Sequence, residues 1–350
     1  MHDLACVVHV HSTFSDGTAH VEEIMAAAAA GGAQAVLLTD HDSREAARQG
    51  YEGWHGNVLL LVGHEVTTRR GHLLVFGVER EIEHQGKTET EICAEVSAQG
   101  GFAFAAHPFS RGGFSRAIVV PHPWSALEQC EECGIELWSL VTDEAESWRT
   151  PFAALRFLSD PEGSIRGPAP DHLARWDRLT AQRRTPAIGG LDAHQTGVRI
   201  RGRVLSPMPH DRYFRLLRTH VLVAQPPTHD LASDRAAIYA ALREGRCYLG
   251  LDAVAPARGF AFTAQSDELG IAHMGSEVPV GEWTAYVRVP RKARMTLLRD
   301  GRPIAASTGS TLEHRIAQPG VYRAEARLHW RGAERLWIVS NPIYVRDRIM

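Results

Sequence analysis

Val7-Val8-His9-Val10-His11-Ser12-Thr13-Phe14-Ser15-Asp16-Gly17 is the stretch on which the reading of this chain turns. A β-branched run ends in His-x-His, and Asp16-Gly17 turns the chain a few residues later. Residues two apart on a strand share a face. His9 and His11 therefore present two imidazoles side by side at a strand end, which suits a metal ion better than an apolar core. A metal needs more ligands, and these must fall at equivalent places in the fold.

From the N-terminus to about residue 195 short β-rich runs alternate with amphipathic helical stretches. Val7–Val10 is followed by a helix over His20–Ala30, closed by Gly31-Gly32. Strands are predicted at Ala35–Thr39 and Val58–Val62, with Leu73–Gly77 turning back from the latter. A helix over Glu91–Ala98 precedes the strand Phe102–Ala106. A helix over Ser125–Cys133 leads to the strand Ile135–Leu140, and helices Pro151–Leu158 and Asp171–Arg183 lead to Ala187–Leu191. A last helix, Leu231–Glu244, is capped by Gly245. This alternation predicts an α/β fold with a mostly parallel sheet, open or closed into a barrel, whose active site sits at the C-terminal strand ends. Beyond residue 258 short strands and turns replace helices, with Asp300-Gly301 marking a hairpin. The expected division is 1–257 for the α/β part and 258–350 for a β-sandwich.

On that map the candidate ligands fall at strand ends. His9 and His11 close the first strand, Thr39-Asp40-His41 the second, and Gly63-His64-Glu65 the third. Gly71-His72 opens the returning strand, Ala106-His107-Pro108 ends the next, and Asp192-Ala193-His194 ends the strand near 190. Any one of these is an ordinary polar residue; jointly they converge on one rim. Mixed imidazole and carboxylate ligation suits Zn, Mn or Fe, and the number of candidates implies two or three divalent ions, with Glu65 or Asp192 as a bridge.

The balance of 38 Lys plus Arg against 41 Asp plus Glu gives −3, no footprint for non-specific nucleic-acid binding. No apolar run approaches the roughly 20 residues that span a bilayer. The first strand starts too soon after Met1 for a signal peptide, and the chain reads as cytoplasmic. Cys6, Cys93, Cys130, Cys133 and Cys247 are odd in number and scattered, which argues against a disulfide framework. Cys130-Glu-Glu-Cys133 reads as free thiols on a helix. There are 19 histidines, about twice an ordinary share.

His9-Val-His11, Ser15-Asp16-Gly17, Thr39-Asp40-His41, Glu65, Gly71-His72-Leu73-Leu74, His107-Pro108 and Asp192-Ala193-His194 resemble, in order, the motifs of the PHP (polymerase and histidinol phosphatase) domain. The resemblance covers about residues 5–200 and implies a distorted (β/α)7 barrel holding two or three ions. It implies one ion on His9, His11, Glu65 and Asp192, a second on Glu65, His107 and His72, and a third on Asp16, His41 and His194. Ile135-Glu136-Leu137-Trp138 departs from relatives that place a further histidine near this strand's end, so two ions rather than three stays open. Gly320-Val-Tyr-Arg323 and Ser340-Asn-Pro-Ile-Tyr344 are similar to the β-sandwich of stand-alone PHP hydrolases, a subgroup that includes enzymes cleaving aryl carbamates.

Two metals about 3.5–4 Å apart would supply a bridging hydroxide at neutral pH. The expected activity is a phosphoesterase acting on a small phosphorylated metabolite, the hydroxide attacking phosphorus in line. Asp192 or His194 would handle the proton, and Asp40 would orient a neighbouring ligand. Arg70, Arg111 and Arg199 each follow a ligand and could grip phosphate, though loop arginines are commonly just solvated. Carbamate or amide cleavage is the alternative, with Trp124, Trp138 and Trp148 offering an aryl pocket. A non-catalytic metal-stabilised interaction module is the second alternative, and it predicts lost ligands. Oligomeric state and the role of the C-terminal part stay open.

Overall fold

The computed structural model describes residues 1–68, 70–112, 123–124, 127, 130, 133–148, 150–201, 203–206 and 208–347. In chain order these form β1 (His2–Val10), α1 (Val21–Gly31), β2 (Ala35–Leu38), α2 (Glu45–Arg48), β3 (Gly53–His55), β4 (Val58–Val62), β5 (His64–Thr68), β6 (Gly71–Phe76), α3 (Glu89–Ala98) and β7 (Phe102–Ala106). They continue with β8 (Gly134–Ser139), α4 (Leu140–Ser147), α5 (Pro151–Ser159), α6 (Pro161–Ser164), α7 (Pro170–Gln182) and β9 (Ala187–Gly190). A short hairpin, β10 (Val198–Ile200) with β11 (Arg203–Leu205), precedes α8 (His210–Tyr213), β12 (Arg218–Val223), α9 (Leu231–Glu244) and β13 (Cys247–Gly250). The expected helix over Ser125–Cys133 falls mostly outside the described residues.

β1, β2 and β4 pair in parallel. β5 continues β4 past Gly63 and pairs antiparallel with β6, which pairs antiparallel with β7. β7, β8 and β9 are again parallel. Two isolated parallel bridges, Val10 to Ala193 and His41 to Glu65, join the sheets at both edges, so the pairing runs round a ring. The strand expected to turn back from Val58–Val62 is β6, and the rest of the ring keeps the mostly parallel order.

Alternate residues of these strands pack into one inner cluster that includes Val8, Leu37, Leu61, Leu74, Phe104 and Ile188. Their neighbours Val7, Val36, Leu60, Leu73, Ala105 and Ala187 pack in a second cluster with the helices. Burial on both faces explains why these strands read as unbroken apolar runs. The alternation slips once: Val7 and Val10 share the outer cluster, and the β1–β2 register shifts between them. The residue in the gap is His9, with φ at +65°. A bulge therefore turns His9 toward the strand ends.

Beyond β13 the strands Ala261–Ser266, Gly270–His273, Glu277–Pro279, Trp283–Arg299, Arg302–Ile316, Gly320–Trp330, Ala333–Ser340 and Ile343–Arg346 complete the chain. Arg299 pairs with Arg302 across Asp300-Gly301, both at positive φ, as the sequence hairpin requires. These strands are longer than expected, and they are not set apart: Ala333–Ser340 pairs with β13, extending the sheet that contains β12 and β1. Trp283, Trp337 and Tyr322 belong to the same cluster as the outer faces of the ring strands. Arg323, 3% exposed, holds Asp177 of α7 through Nε and Nη2 at 2.6 and 2.9 Å and Glu325 at 2.7 Å.

Asn341 is a second polar link. Its Oδ1 accepts the Ala187 N–H at 2.8 Å, and its Nδ2 donates to the carbonyls of Ala187 and Cys247 at 2.8 and 2.9 Å. Asn341→Ala orphans buried backbone groups at about 1–3 kcal/mol each. A lowered urea midpoint is expected, and an unchanged midpoint would dismiss the link as incidental.

The cysteine expectation is corrected. Cys93 of α3 and Cys130 are bonded as a disulfide, while Cys6, Cys133 and Cys247 are free and buried. Spacing alone missed this pair, because the two residues meet only through the packing of α3. Among the described residues no helix is long and apolar enough to cross a membrane.

Candidate metal centre

Glu65 is the hub. It is 1% exposed at the side chain, and its two oxygens face five imidazoles. Oε1 lies 2.8 Å from His72 Nδ1 and 3.3 Å from His107 Nε2. Oε2 lies 3.1 Å from His9 Nε2, 3.2 Å from His11 Nε2 and 3.4 Å from His41 Nδ1. Burial pushes this carboxyl up, but the charge of His9 and the close imidazoles of His107, His11 and His72 hold it well below the usual range.

Asp192 faces Glu65 across the two histidines of β1, with Oδ1 3.4 Å from His9 Nε2 and 3.6 Å from His11 Nε2. Its Oδ2 accepts the Thr142 hydroxyl at 2.5 Å. Asp16 reaches in from the turn after β1, its Oδ1 3.2 Å from His194 Nε2 and its Oδ2 3.7 Å from His41 Nε2. Burial raises the Asp16 carboxyl, but His194, His11 and His41 outweigh it and bring the group to about 2. All nine sequence candidates thus fall in one cluster.

Three groups have ligand atoms within 4.8 Å of one another. His9, His11, Glu65 and Asp192 form one, the set expected for the first ion. His11, Asp16, His41 and His194 form another, which adds His11 to the set expected for the third. His41, Glu65 and His72 form the last. His107 touches Glu65 but joins none of them, so His41 stands where His107 was expected.

The donor chemistry fits cations. His9 Nδ1 faces Glu136 Oε1 at 2.8 Å. With the proton on that side, Nε2 offers a lone pair toward two carboxylate oxygens, acceptor against acceptor. His194 repeats this: Nδ1 donates to the Asp192 carbonyl at 3.1 Å, leaving Nε2 against Asp16. Both ring nitrogens of His11 are buried without a hydrogen bond among the described residues. Burial opposes charge on His11, yet Asp192 and Glu65 lift it to about 9. Such a cluster demands positive charge, which protons or divalent ions can supply in competition.

Glu136 was seen in the sequence only as a missing histidine. It is 1% exposed, and besides holding His9 its Oε2 accepts the His107 N–H at 2.8 Å. The available signal was a carboxylate inside an apolar strand, Gly134-Ile-Glu-Leu-Trp, which is costly unless bonded. Gly190 makes room for it: a Cβ there overlaps Glu136 Oε1 and sits 2.9 Å from His9 Cβ. Gly190→Ala is expected to destabilise the chain by about 1–3 kcal/mol and to reduce the Tm gain on adding Mn. Melting curves with and without metal check this, and wild-type curves in both conditions would count against it.

His9, His107 and Asp192 all sit at positive φ, at 65°, 31° and 54°. Such backbone costs on the order of 1–3 kcal/mol per residue and clusters at functional sites. Asp40 is not among the ligand groups: its oxygens accept from Ser12 N and Oγ and from Ser15 Oγ, each at 2.7 Å. It shapes the turn that carries Asp16.

The three arginines lie on protein carboxylates. Arg199 grips Glu23 with both terminal nitrogens at 2.9 and 2.7 Å. Arg111 pairs with Asp171 and is 61% exposed, and Arg70, 71% exposed, is 4.0 Å from Glu89. Of the three tryptophans, Trp138 and Trp124 are buried in the apolar core and Trp148 lines a cavity. His122 lies outside the described residues.

The family model of the PHP domain matches residues 8–131. Asp192 and His194 lie beyond it. Among solved structures the chain is similar to a two-domain protein from Bacteroides vulgatus, named as containing a predicted PHP-like metal-dependent phosphoesterase. The identity is 16%, over 97% of this chain and 95% of that one, with a TM-score of 0.46. It is also similar to a protein from Bifidobacterium adolescentis named as a "putative metal-dependent phosphoesterase" (18%, 60% and 94%, 0.34). A third is an amidohydrolase from Chromobacterium violaceum with bound sulfate and no metal (17%, 54% and 87%, 0.32). No curated protein matches the chain.

Proposed function

We propose that the chain is a metal-dependent phosphoesterase that releases phosphate from a small phosphorylated metabolite. The observation that carries this reading is the sharing of Glu65: two ligand groups meet on this one buried carboxylate, as a multinuclear centre requires. Bound there, two or three divalent ions would polarise the ester and provide a nucleophile at neutral pH. Mn, Fe and Zn suit the mixed donor set.

The chain's own groups do the rest. His9, His11, Glu65 and Asp192 would hold one ion, His11, Asp16, His41 and His194 another, and Glu65 with His72, His41 and His107 the remaining side. Glu136 fixes the ring of His9, so that Nε2 is the atom offered. Thr142 binds one oxygen of Asp192 and leaves the other to the centre. His194, about a quarter exposed, has Nδ1 held by the Asp192 carbonyl and so would offer Nε2 to the ion. Arg70, Arg111 and Arg199 are turned to Glu89, Asp171 and Glu23.

The test is phosphate release from a panel of mono- and diesters by Mn-loaded protein, with Asp192→Ala as the control. Release that vanishes in the variant is expected. Metal-replete protein that releases none would overturn the reading and direct the same test to aryl carbamates.

A further inference from the structure

A cavity of about 810 Å³ opens beside the metal centre, between α4, α5, the segment leading into α7 and the strands of the C-terminal part. Its first wall residue, Asp143, follows directly on Thr142, whose hydroxyl is bonded to Asp192. Its opposite lip, Arg111 and Gly112, follows closely on His107. The backbone N–H groups of both lip residues are tied to Glu146 of α4 at 2.8 and 2.9 Å. The cavity therefore borders the segments that carry Thr142 and His107, and its volume is that of a small-molecule pocket.

Its lining is unusual in charge. Arg111, Arg156, Arg166 and Arg327 all line it, from four different segments. Arg111 is committed to Asp171, and Arg327 reaches Glu325 at 3.2 Å. Arg156 and Arg166 hold no ion pair among the described residues. The carboxylates that line it offset this only in part. Glu146 is engaged by three donors: Ser110 Oγ and the N–H groups of Arg111 and Gly112. Glu144, 8% exposed, is pushed up to about 8 by burial, with the charge of Arg166 opposing. Asp143 is likewise raised, by burial and then by Glu136, Glu146 and Glu144. Glu144, raised this far, is largely uncharged near pH 7. Between the arginines, Trp148 and Phe157 give an aromatic wall, their rings 5.5 Å apart.

We propose that this cavity takes the far end of the substrate, and that the far end carries a second anionic group, a carboxylate or a phosphate, held by Arg156 and Arg166. The substrate class is then a bis-anionic small molecule whose ester group sits at the metals and whose carbon body lies along Trp148 and Phe157. Guanidinium forks recognise either anion through paired N–H donors. This rests on the phosphoesterase reading for the group at the metals only; the cavity's preference for an anion stands by itself.

The test uses non-hydrolysable probes, so that binding and turnover are read separately. Alkylphosphonates with spacers of two to eight carbons, each with and without a terminal carboxylate, are titrated into Mn-loaded protein by calorimetry. At one spacer length or more, the carboxylate is expected to lower Kd about tenfold, the equivalent of about 1.4 kcal/mol. In Arg156→Gln/Arg166→Gln that gain is expected to fall below twofold, and the double lysine variant is expected to recover part of it. Both arginines are exposed, and a melting curve confirms that each variant folds. The proposal is overturned if the carboxylate brings no gain at any spacer, or if the double glutamine variant keeps the gain. If the gain is present but the corresponding phosphate esters release nothing, the cavity assignment holds and the phosphoesterase reading is the one that falls.

Discussion

Glu65→Gln is expected to lower phosphate release by about 10³-fold and to reduce the metal bound per chain. Gln keeps the volume of Glu but removes one negative charge and one acceptor oxygen. In the native chain both oxygens are in use, one toward His72 and His107 and the other toward His9, His11 and His41. The amide must turn an N–H₂ toward one of these sides, where it repels a cation. Several kcal/mol of metal-derived charge stabilisation are lost with the shared ion, and at about 1.4 kcal/mol per tenfold this gives the stated loss. Metal content by mass spectrometry and phosphate release on the same preparation check it. A variant with wild-type metal content and rate would remove Glu65 from the centre altogether.

Glu136→Gln is expected to behave differently. Glu136 is in none of the ligand groups, so the number of ions at saturation should be unchanged. What changes is the ring of His9: the carboxylate that fixes its Nδ1 proton is replaced by an amide that can present either an oxygen or an N–H₂. Outer carboxylates of this kind are worth about 10–100-fold in metal affinity. Competition against a chelator should show a loss in that range, with stoichiometry recovered at high metal. Glu136→Ala should lose more, since the His107 N–H at 2.8 Å is orphaned too. Were chelator competition to give the wild-type affinity for both variants, the holding role would be refuted.

The strand ends were legible because ligation leaves a mark that burial does not hide: His-x-His and Asp-x-His at the close of β-branched or glycine-rich runs. Three things were not legible. The bulge at His9 redirects a side chain without changing any residue type, and only the register of β1 against β2 reveals it. The bond between Cys93 and Cys130 depends on how α3 packs, which spacing does not encode. That His41 joins Glu65 and His72 in the last ligand group depends on strands that come together only in the folded ring. The arginines illustrate the opposite failure. Their types were suggestive, but Glu23 and Asp171, far away in sequence, claim Arg199 and Arg111.

The pairing of Ala333–Ser340 with β13 bears on how such a chain can change over generations. Ala187, gripped by Asn341, begins the strand whose end carries Asp192, and Arg327 and Leu336 of the same C-terminal strands line the cavity. The last 90 or so residues are therefore not a passenger that recombination can exchange freely. A graft must reproduce the hydrogen bonds of one asparagine to keep the centre in register. Where it does, every other substitution on the cavity side of those strands reshapes what the enzyme admits while leaving its ligands untouched. The C-terminal strands thus contribute to selectivity through Arg327 and Leu336 while Asn341 ties them to the strand that ends in Asp192.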